Sequence, residues 1–231
     1  MRELLETRRR SVRRLWLARR ADPGSLDQLA VLARDQGAAV EWITPDDLES
    51  KARTEVPQGV VAEADPLDPV DLDELLGASD AFLVALESVS DPRNLGAILR
   101  SAEGAGATGI VLARHRAAAI TPAAAKAASG AIEHLRFALV AGVPGALERA
   151  SRSSVWTVGL DGGGESDLFD LPIADQPLML TLGAEGQGLS RLARGRCDVV
   201  ARIPMRGNID SLNVSAAATV ACFEIARRRI A

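Results

Sequence analysis

The chain has 231 residues, of which 47% are apolar and 25% charged. That usage is ordinary for globular proteins and excludes a disordered, collagen-like or disulfide-scaffold polypeptide. No stretch approaches the roughly 18 to 20 uninterrupted apolar residues of a membrane span. The arginine-rich N-terminus is not followed by an apolar core and cleavage site, so the expected location is cytoplasmic. The net charge of −4, from 27 basic and 31 acidic residues, is unevenly spread. Residues 1–20 carry eight arginines against Glu3 and Glu6, whereas residues 62–91 carry nine acids and no base. The basic end is either a phosphate-binding patch or the solvated face of a first helix. An acidic protein without tyrosine and with 3% aromatics is not a general single-strand binder, so any nucleic-acid role needs a localised site. Cys197 and Cys222 have no metal-site spacing and read as small buried hydrophobes.

In chain order, residues 1–10 read as helix, 14–18 as strand, and 25–36 as helix with Ser25 as N-cap and Gly37 as terminator. Residues 39–43 are extended, 45–52 a short helix and 59–64 a strand. Residues 1–64 thus form a small α/β module, and 65–80 read as an acidic linker with one amphipathic turn at Leu72, Leu75 and Leu76. From residue 81 onward, short apolar runs at 82–86, 109–113, 155–159, 178–182 and 199–204 fit buried parallel strands. Helices are expected at 94–104, 122–130, 145–151, 189–196 and 213–230. This alternation predicts an α/β fold with a parallel sheet covered on both faces.

Gly104–Gly109 (GAGATG) matches a dinucleotide-binding pattern, but a helix precedes it and a strand follows, the reverse of what that fingerprint needs. Asp161–Gly164 (DGGG) reads as a flexible surface turn in preference to a phosphate cradle. In LGAEGQGLS (182–190), by contrast, a buried strand runs into a glycine-rich turn and then a helix. Glycines there let a ligand approach the backbone, and Glu185 sits at the sheet edge where open α/β folds bind ligands; an ordinary strand-to-helix turn is the alternative. Residues 203–226 repeat the construction, with Ser211, Asn213 and Ser215 at the entrance of the last helix, whose opening small residues (215–219) permit tight passage against other backbone; a capping sequence on an alanine-rich helix is the alternative. In SVSDPRNLGAILRSAEGAG (88–106), Asn94 and Arg100 lie close to two turns apart, so one helix could aim both toward the same side. Separately, a surface cation and an N-cap would account for them.

Three blocks, DPRNLGAILRSAEGAGATGIVL, LGAEGQGLSRLARGRCDVVARIPM and GNIDSLNVSAAATVACFEIAR, resemble in order the three motifs of the SpoU/TrmH family of RNA ribose 2'-O-methyltransferases, within the SPOUT class. The resemblance covers residues 81–231 and is nearest to bacterial enzymes that methylate a guanosine of 23S rRNA. Residues 1–64 are similar to the family's ribosomal-protein-like RNA-binding module, here without the short strand that normally precedes the first helix. The resemblance implies a C-terminal trefoil knot and S-adenosylmethionine held near Leu182, Gly183, Gly186, Ile203, Met205, Leu212 and Asn213. It places Asn94, Arg100, Glu185, Ser211 and Asn213 on the family's functional positions.

The implied reaction is in-line attack of a ribose 2'-oxygen on an already activated methyl, so the protein chiefly positions the reactants and assists proton loss. Arg100 would hold the ribose or a phosphate, Asn94 and Glu185 would orient it, and Ser211 with Asn213 would fix the site's backbone. Arg9, Arg10 and Arg13 would bind RNA phosphates. No metal or membrane is implied, and His115 and His134 are read as incidental. A homodimer through the knot is expected, with Val214, Ala218, Ala221 and Ile225 as an apolar stripe on the last helix. The alternatives are a tRNA substrate, a resistance-conferring rRNA methyltransferase and a non-catalytic ribosome-assembly factor.

Overall fold

A strand buried on both faces over residues 15–18 organises the first part of the chain. In strand β1 (Val12–Ala18), Val12, Leu15 and Leu17 pack with helices α1 (Arg2–Thr7) and α2 (Ser25–Asp35), while Trp16 and Ala18 face Leu48 of α3 (Pro45–Lys51) on the other side. β1 lies between a parallel partner, β2 (Ala39–Ile43), and an antiparallel one, β3 (Val60–Ala64). The computed structural model describes residues 1–19, 24–52, 57–114 and 120–230, and the chain divides into two units, Met1–Asp68 and Pro69–Ala231. Arg20 and His115 lie outside the described residues.

The expected helix over 1–10 stops at Thr7, because Arg8 turns left-handed with φ 52°. Ser25 is the first residue of α2 and Gly24 its N-cap. The terminator holds as expected: Gly37 has φ +78°, and Gly37 N and Ala38 N donate back to the carbonyls of Arg34 and Ala33, closing the helix with a left-handed glycine.

The stretch read as a linker is divided between the units. Val70 N donates to Phe137 O at 2.8 Å, and helix α4 (Leu72–Leu76) buries all three of its leucines among Leu83, Val111 and Leu147. Its acids misled the sequence reading because their cations are distant in the chain. Arg149 lies 3.0 Å from Asp71 and 2.7 Å from Asp73, and Arg136 pairs with Glu74.

The second unit contains a seven-stranded, wholly parallel sheet in the order β6-β5-β4-β9-β7-β10-β8. Its strands are β4 (Phe82–Leu86), β5 (Gly109–Ala113), β6 (Phe137–Val140), β7 (Trp156–Leu160), β8 (Ser166–Asp167), β9 (Leu178–Leu182) and β10 (Val199–Arg202). Strands β4, β5 and β9 are buried at every position, as a sheet covered on both faces requires. Strands β6 and β8 were not foreseen. One face packs on α4, α7 (Val143–Arg152) and the short α8 (Arg191–Arg194). On the other side α5 (Pro92–Gly104) packs against α6 (Pro122–Ala127) and the last helix, α9 (Val214–Ile230).

Gly96 sets the α5–α6 approach, since a Cβ there would lie 2.4 Å from Ala127 Cβ and 2.5 Å from Ala124 O. Against α9, Thr219 Oγ1 donates to Ser215 O and therefore accepts from Ser101 Oγ at 2.7 Å. Near its C-terminus, α9 is tied to the sheet by Arg229, which donates to the carbonyls of Asp80, Ala81, Ala174 and Gln176. The stripe expected to mark a dimer surface is largely internal: Ala218, Ala221 and Ile225 are fully buried within their own unit. Helix periodicity shows that a face is covered, not by which chain.

Candidate active site

All strands of the large sheet point one way, so the loops after β4, β7, β9 and β10 emerge from one edge. After β4 the chain enters α5 with Asp91 as N-cap, accepting from Arg93 N at 2.8 Å, and Pro92 in the first helical position. That entry places Asn94 in the first turn.

β9 leads directly into the glycine turn. Ala184 N donates to Gly188 O at 2.9 Å and Gly188 N to Ala184 O at 3.0 Å. The loop is closed so tightly that a Cβ on Gly183 would lie 2.0 Å from Gly188 O. Gly186 (φ +76°) and Gly188 (φ +68°) need left-handed backbone, and beyond Gly186 there is open space.

The sequence-predicted residues are partly brought together. Asn94 Nδ2 donates to Glu185 Oε1 at 2.6 Å, and Asn213 Nδ2 donates to Asn94 Oδ1 at 3.2 Å. Asn213 Oδ1 in turn accepts from Ser215 N at 2.8 Å and Ser215 Oγ at 2.6 Å, fixing the start of α9. One polar chain, Glu185–Asn94–Asn213, therefore links three motifs that are far apart in sequence. Glu185 Oε2 makes no hydrogen bond among the described residues.

Arg100 and Ser211 do not join this chain. Arg100 is exposed, and its hydrogen bond among the described residues goes to Ser129 Oγ at 3.4 Å. Six residues of α-helix rotate by about 600°, which leaves Asn94 and Arg100 roughly 120° apart around the axis, so the common side expected from their spacing is not formed. Ser211 is exposed and makes no hydrogen bond among the described residues.

After β10, residues 203–213 form no helix or strand, and residues 203–212 make no backbone–backbone hydrogen bond among the described residues. Met205, Ile209 and Leu212 expose 38%, 72% and 42% of their surface there. Free backbone donors and acceptors beside uncovered apolar side chains, on the same sheet edge as the closed glycine turn, suit a ligand that combines apolar surface with polar ends, as S-adenosylmethionine does. The residues present therefore fit S-adenosylmethionine. Leu182 is buried at the end of β9, Gly183 is buried in the turn, and Ile203 is half-buried.

Two acids that sequence reasoning did not assign to the site also hold this edge. Asp161, at the end of β7, accepts from Leu189 N at 3.3 Å and pairs with Arg194 at 2.7 Å; DGGG is thus an anchored turn. Glu87, at the end of β4, accepts from Ser190 N at 2.9 Å and Ser190 Oγ at 2.5 Å. An acid one residue past a buried strand is the only sequence signal they offered. Among the described residues no cluster of His, Cys, Asp and Glu could hold a metal ion. Burial pushes both thiols, Cys197 and Cys222, up to about 12, with Asp198 and Glu87 adding to the effect at Cys197, so neither is a ready nucleophile. His134 is exposed, and no helix among the described residues is long and apolar enough to cross a membrane.

In the first unit, Arg13 Nε donates to Asp65 Oδ1 at 2.8 Å and Arg10 Nη1 to Asp65 O at 3.1 Å. Arg9 and Arg10 lie in the turn before β1, and the Arg13 side chain remains 68% exposed.

Comparison with known proteins agrees with both units. Residues 81–223 match the SpoU rRNA Methylase family, and residues 1–70 match a module described as RNA 2'-O ribose methyltransferase substrate binding. The chain is 34% identical over 231 residues to the 23S rRNA (guanosine-2'-O-)-methyltransferase RlmB of Pseudomonas putida, covering 98% of this chain and 92% of that one. To RlmB of Shewanella oneidensis it is 36% identical over 219 residues, covering 93% and 89%. The SpoU methyltransferase AviRb from Streptomyces viridochromogenes, solved with the cofactor AdoMet, superposes with a TM-score of 0.82 at 30% identity, covering 99% of this chain and 87% of that one. The likeness carries with it the trefoil-knotted fold expected from the motifs. The chain belongs to the SpoU rRNA methylase family and is an S-adenosylmethionine-dependent RNA 2'-O-methyltransferase.

Proposed function

We propose that this protein methylates the ribose 2'-oxygen of a guanosine in 23S rRNA, with residues 1–68 as the RNA-gripping unit and residues 69–231 as the catalytic one. The observation that carries this reading is the Glu185–Asn94–Asn213 chain, which ties the three motif loops together beside the open glycine turn. The relatives whose names specify guanosine of 23S rRNA match along nearly the whole chain, the RNA-binding unit included.

Leu182, Gly183, Gly186, Ile203, Met205, Leu212 and Asn213 would hold S-adenosylmethionine, the backbone groups of 203–212 taking its polar ends and Met205 and Leu212 its apolar surface. When bound, the cofactor supplies a methyl group activated by its positive sulfur. Glu185 Oε2 accepts a hydrogen bond from the attacking 2'-hydroxyl, while Asn94 fixes the carboxylate by donating to Oε1. Arg100 is the exposed guanidinium for the ribose-phosphate backbone, a planar fork suited to two phosphate oxygens. Ser211 shapes the loop before α9. Arg9, Arg10 and Arg13 contact RNA phosphates, with Asp65 aligning Arg10 and Arg13. The reaction needs no metal. The protein pairs as a homodimer through the exposed Phe223 and Ile230 of α9, in place of the stripe already buried within the unit.

The test is single-turnover transfer of labelled methyl to a 23S rRNA transcript in EDTA, followed by mapping of the modified nucleotide. Formation of 2'-O-methylguanosine is expected, and Arg100→Ala should lower the rate by roughly two to four orders of magnitude, as loss of a positioned group does. Methylation confined to tRNA, dependence on a metal, or a near-normal rate for Arg100→Ala would each refute the corresponding part. Light scattering that gives a monomer at tens of micromolar would refute the dimer.

A further inference from the structure

The glycine turn after β9 is held from both sides of its strand. In the sheet β9 lies between β4 and β7, and each neighbour ends in a carboxylate that reaches over to the exit of the turn. From β4, Glu87 accepts from Ser190 N at 2.9 Å and Ser190 Oγ at 2.5 Å. From β7, Asp161 accepts from Leu189 N at 3.3 Å, while its other oxygen accepts from Arg194 Nη1 at 2.7 Å and Gly163 N at 2.9 Å. Arg194 closes the loop by donating to Gly163 O at 2.6 Å. Two adjacent residues, Leu189 and Ser190, are thus pinned by two acids arriving from opposite directions. The Asp161 side chain is only 17% exposed. Its fit against the turn leaves no room for a side chain at Gly188, where a Cβ would lie 2.5 Å from Asp161 Oδ2.

We infer that Asp161 and Glu87 are positioning residues for methyl transfer, fixing the turn that presents Glu185 to Asn94 and its backbone to the cofactor. The inference rests on the function proposed above. Neither acid touches Asn94, Arg100 or Asn213 by any hydrogen bond among the described residues, so their effect passes through the turn. Both pins are needed to fix the exit of the turn; removing one lets it shift, and removing the second then has less left to lose. The two substitutions should therefore be coupled, as groups acting on one element are.

The experiment measures S-adenosylmethionine affinity by calorimetry, RNA affinity, and kcat and KM on the full chain for Asp161→Ala, Glu87→Ala, the double variant, Asp161→Asn and Glu87→Gln. Each alanine variant should weaken cofactor binding by about 10- to 100-fold, the loss expected for a hydrogen bond to a charged group, with RNA affinity unchanged. The double variant should lose clearly less than the product of the single losses. Glu87→Gln should recover most of the loss, because its amide can still accept from Ser190 N and donate to Ser190 Oγ; Asp161→Asn, which loses the charge facing Arg194, should recover less. Wild-type cofactor affinity in Glu87→Ala and Asp161→Ala would overturn the inference. So would fully multiplicative losses, or equal damage in Glu87→Gln and Glu87→Ala. If Asp161→Ala fails to fold, the Glu87 pair still decides. A wild-type protein that does not bind S-adenosylmethionine would instead refute the proposed function.

Discussion

Replacing Asn94 with alanine cuts the one polar chain that joins the three motifs. The substitution removes a hydrogen bond to the Glu185 carboxylate at 2.6 Å and another from Asn213 at 3.2 Å. A bond to a charged group contributes about 1.5–3 kcal/mol and a neutral one about 0.5–1.5 kcal/mol. Both are solvent-exposed, so the lower ends apply, and about 2 kcal/mol of lost positioning corresponds to a roughly 30-fold lower rate. The loss should fall on single-turnover kcat at saturating cofactor and RNA, with the melting temperature little changed. Asn94→Asp separates positioning from mere shape. It sets a second carboxylate against Glu185, and two such neighbours favour sharing a proton. Its activity, relative to wild type, should therefore recover as pH falls, whereas Asn94→Ala shows no such recovery. A single-turnover rate for Asn94→Ala within about threefold of wild type would refute this account of the polar chain.

Gly96→Ala should destabilise the second unit even though helix propensity alone favours alanine by about 1 kcal/mol, because the new Cβ meets Ala127 Cβ at 2.4 Å and the Ala124 carbonyl at 2.5 Å. Overpacking against backbone costs about 1–3 kcal/mol or more, so calorimetry should show a lower melting temperature; an unchanged or raised value would contradict the close α5–α6 approach. Glu224, buried on α9, has its carboxyl held below the usual range by hydrogen bonds from Arg227 and then Arg228. A depressed folded-state value contributes stability that is complete above the unfolded carboxyl value, near 4.3, and is lost as pH falls through the folded value. Glu224→Gln should accordingly flatten that acid limb of the stability curve, and identical acid limbs would remove the ion pair from the account.

The parts of the fold that were legible are those whose physics is local. Continuous apolar runs marked β4, β5 and β9 because both faces of those strands are buried, and a left-handed glycine marked the end of α2. Four-residue β6 and two-residue β8 are too short to carry a pattern. The acidic stretch before β4 resembled a linker because acids are counted without their partners, and Arg149 stands 78 positions from Asp71. In DGGG the turn was legible but its anchoring was not, for the same reason: Leu189 and Arg194, which make Asp161 an anchor, lie 28 and 33 positions away. At the site, Asn94, Glu185 and Asn213 were reached through family motifs, which preserve long-range pairing that periodicity cannot express.

The last helix shows why a correct steric signal can still be given the wrong address. Small residues at the start of α9 were expected to permit close passage of backbone, and they do: Ser215 and Thr219 bring the helix against Ser101 of α5 through shared hydroxyls. The stripe continuing along that helix was expected to face a second copy, yet Ala218, Ala221 and Ile225 are consumed in the same intramolecular packing. Both readings began from one fact, a face that must be covered, and sequence separation cannot say which element covers it. The distinction has a functional consequence. Because α9 is clamped to α5 by its small face, Asn213 at the entrance of α9 is held against Asn94 at the entrance of α5, and the polar chain that serves the reaction is fixed by the packing of the two helices behind it.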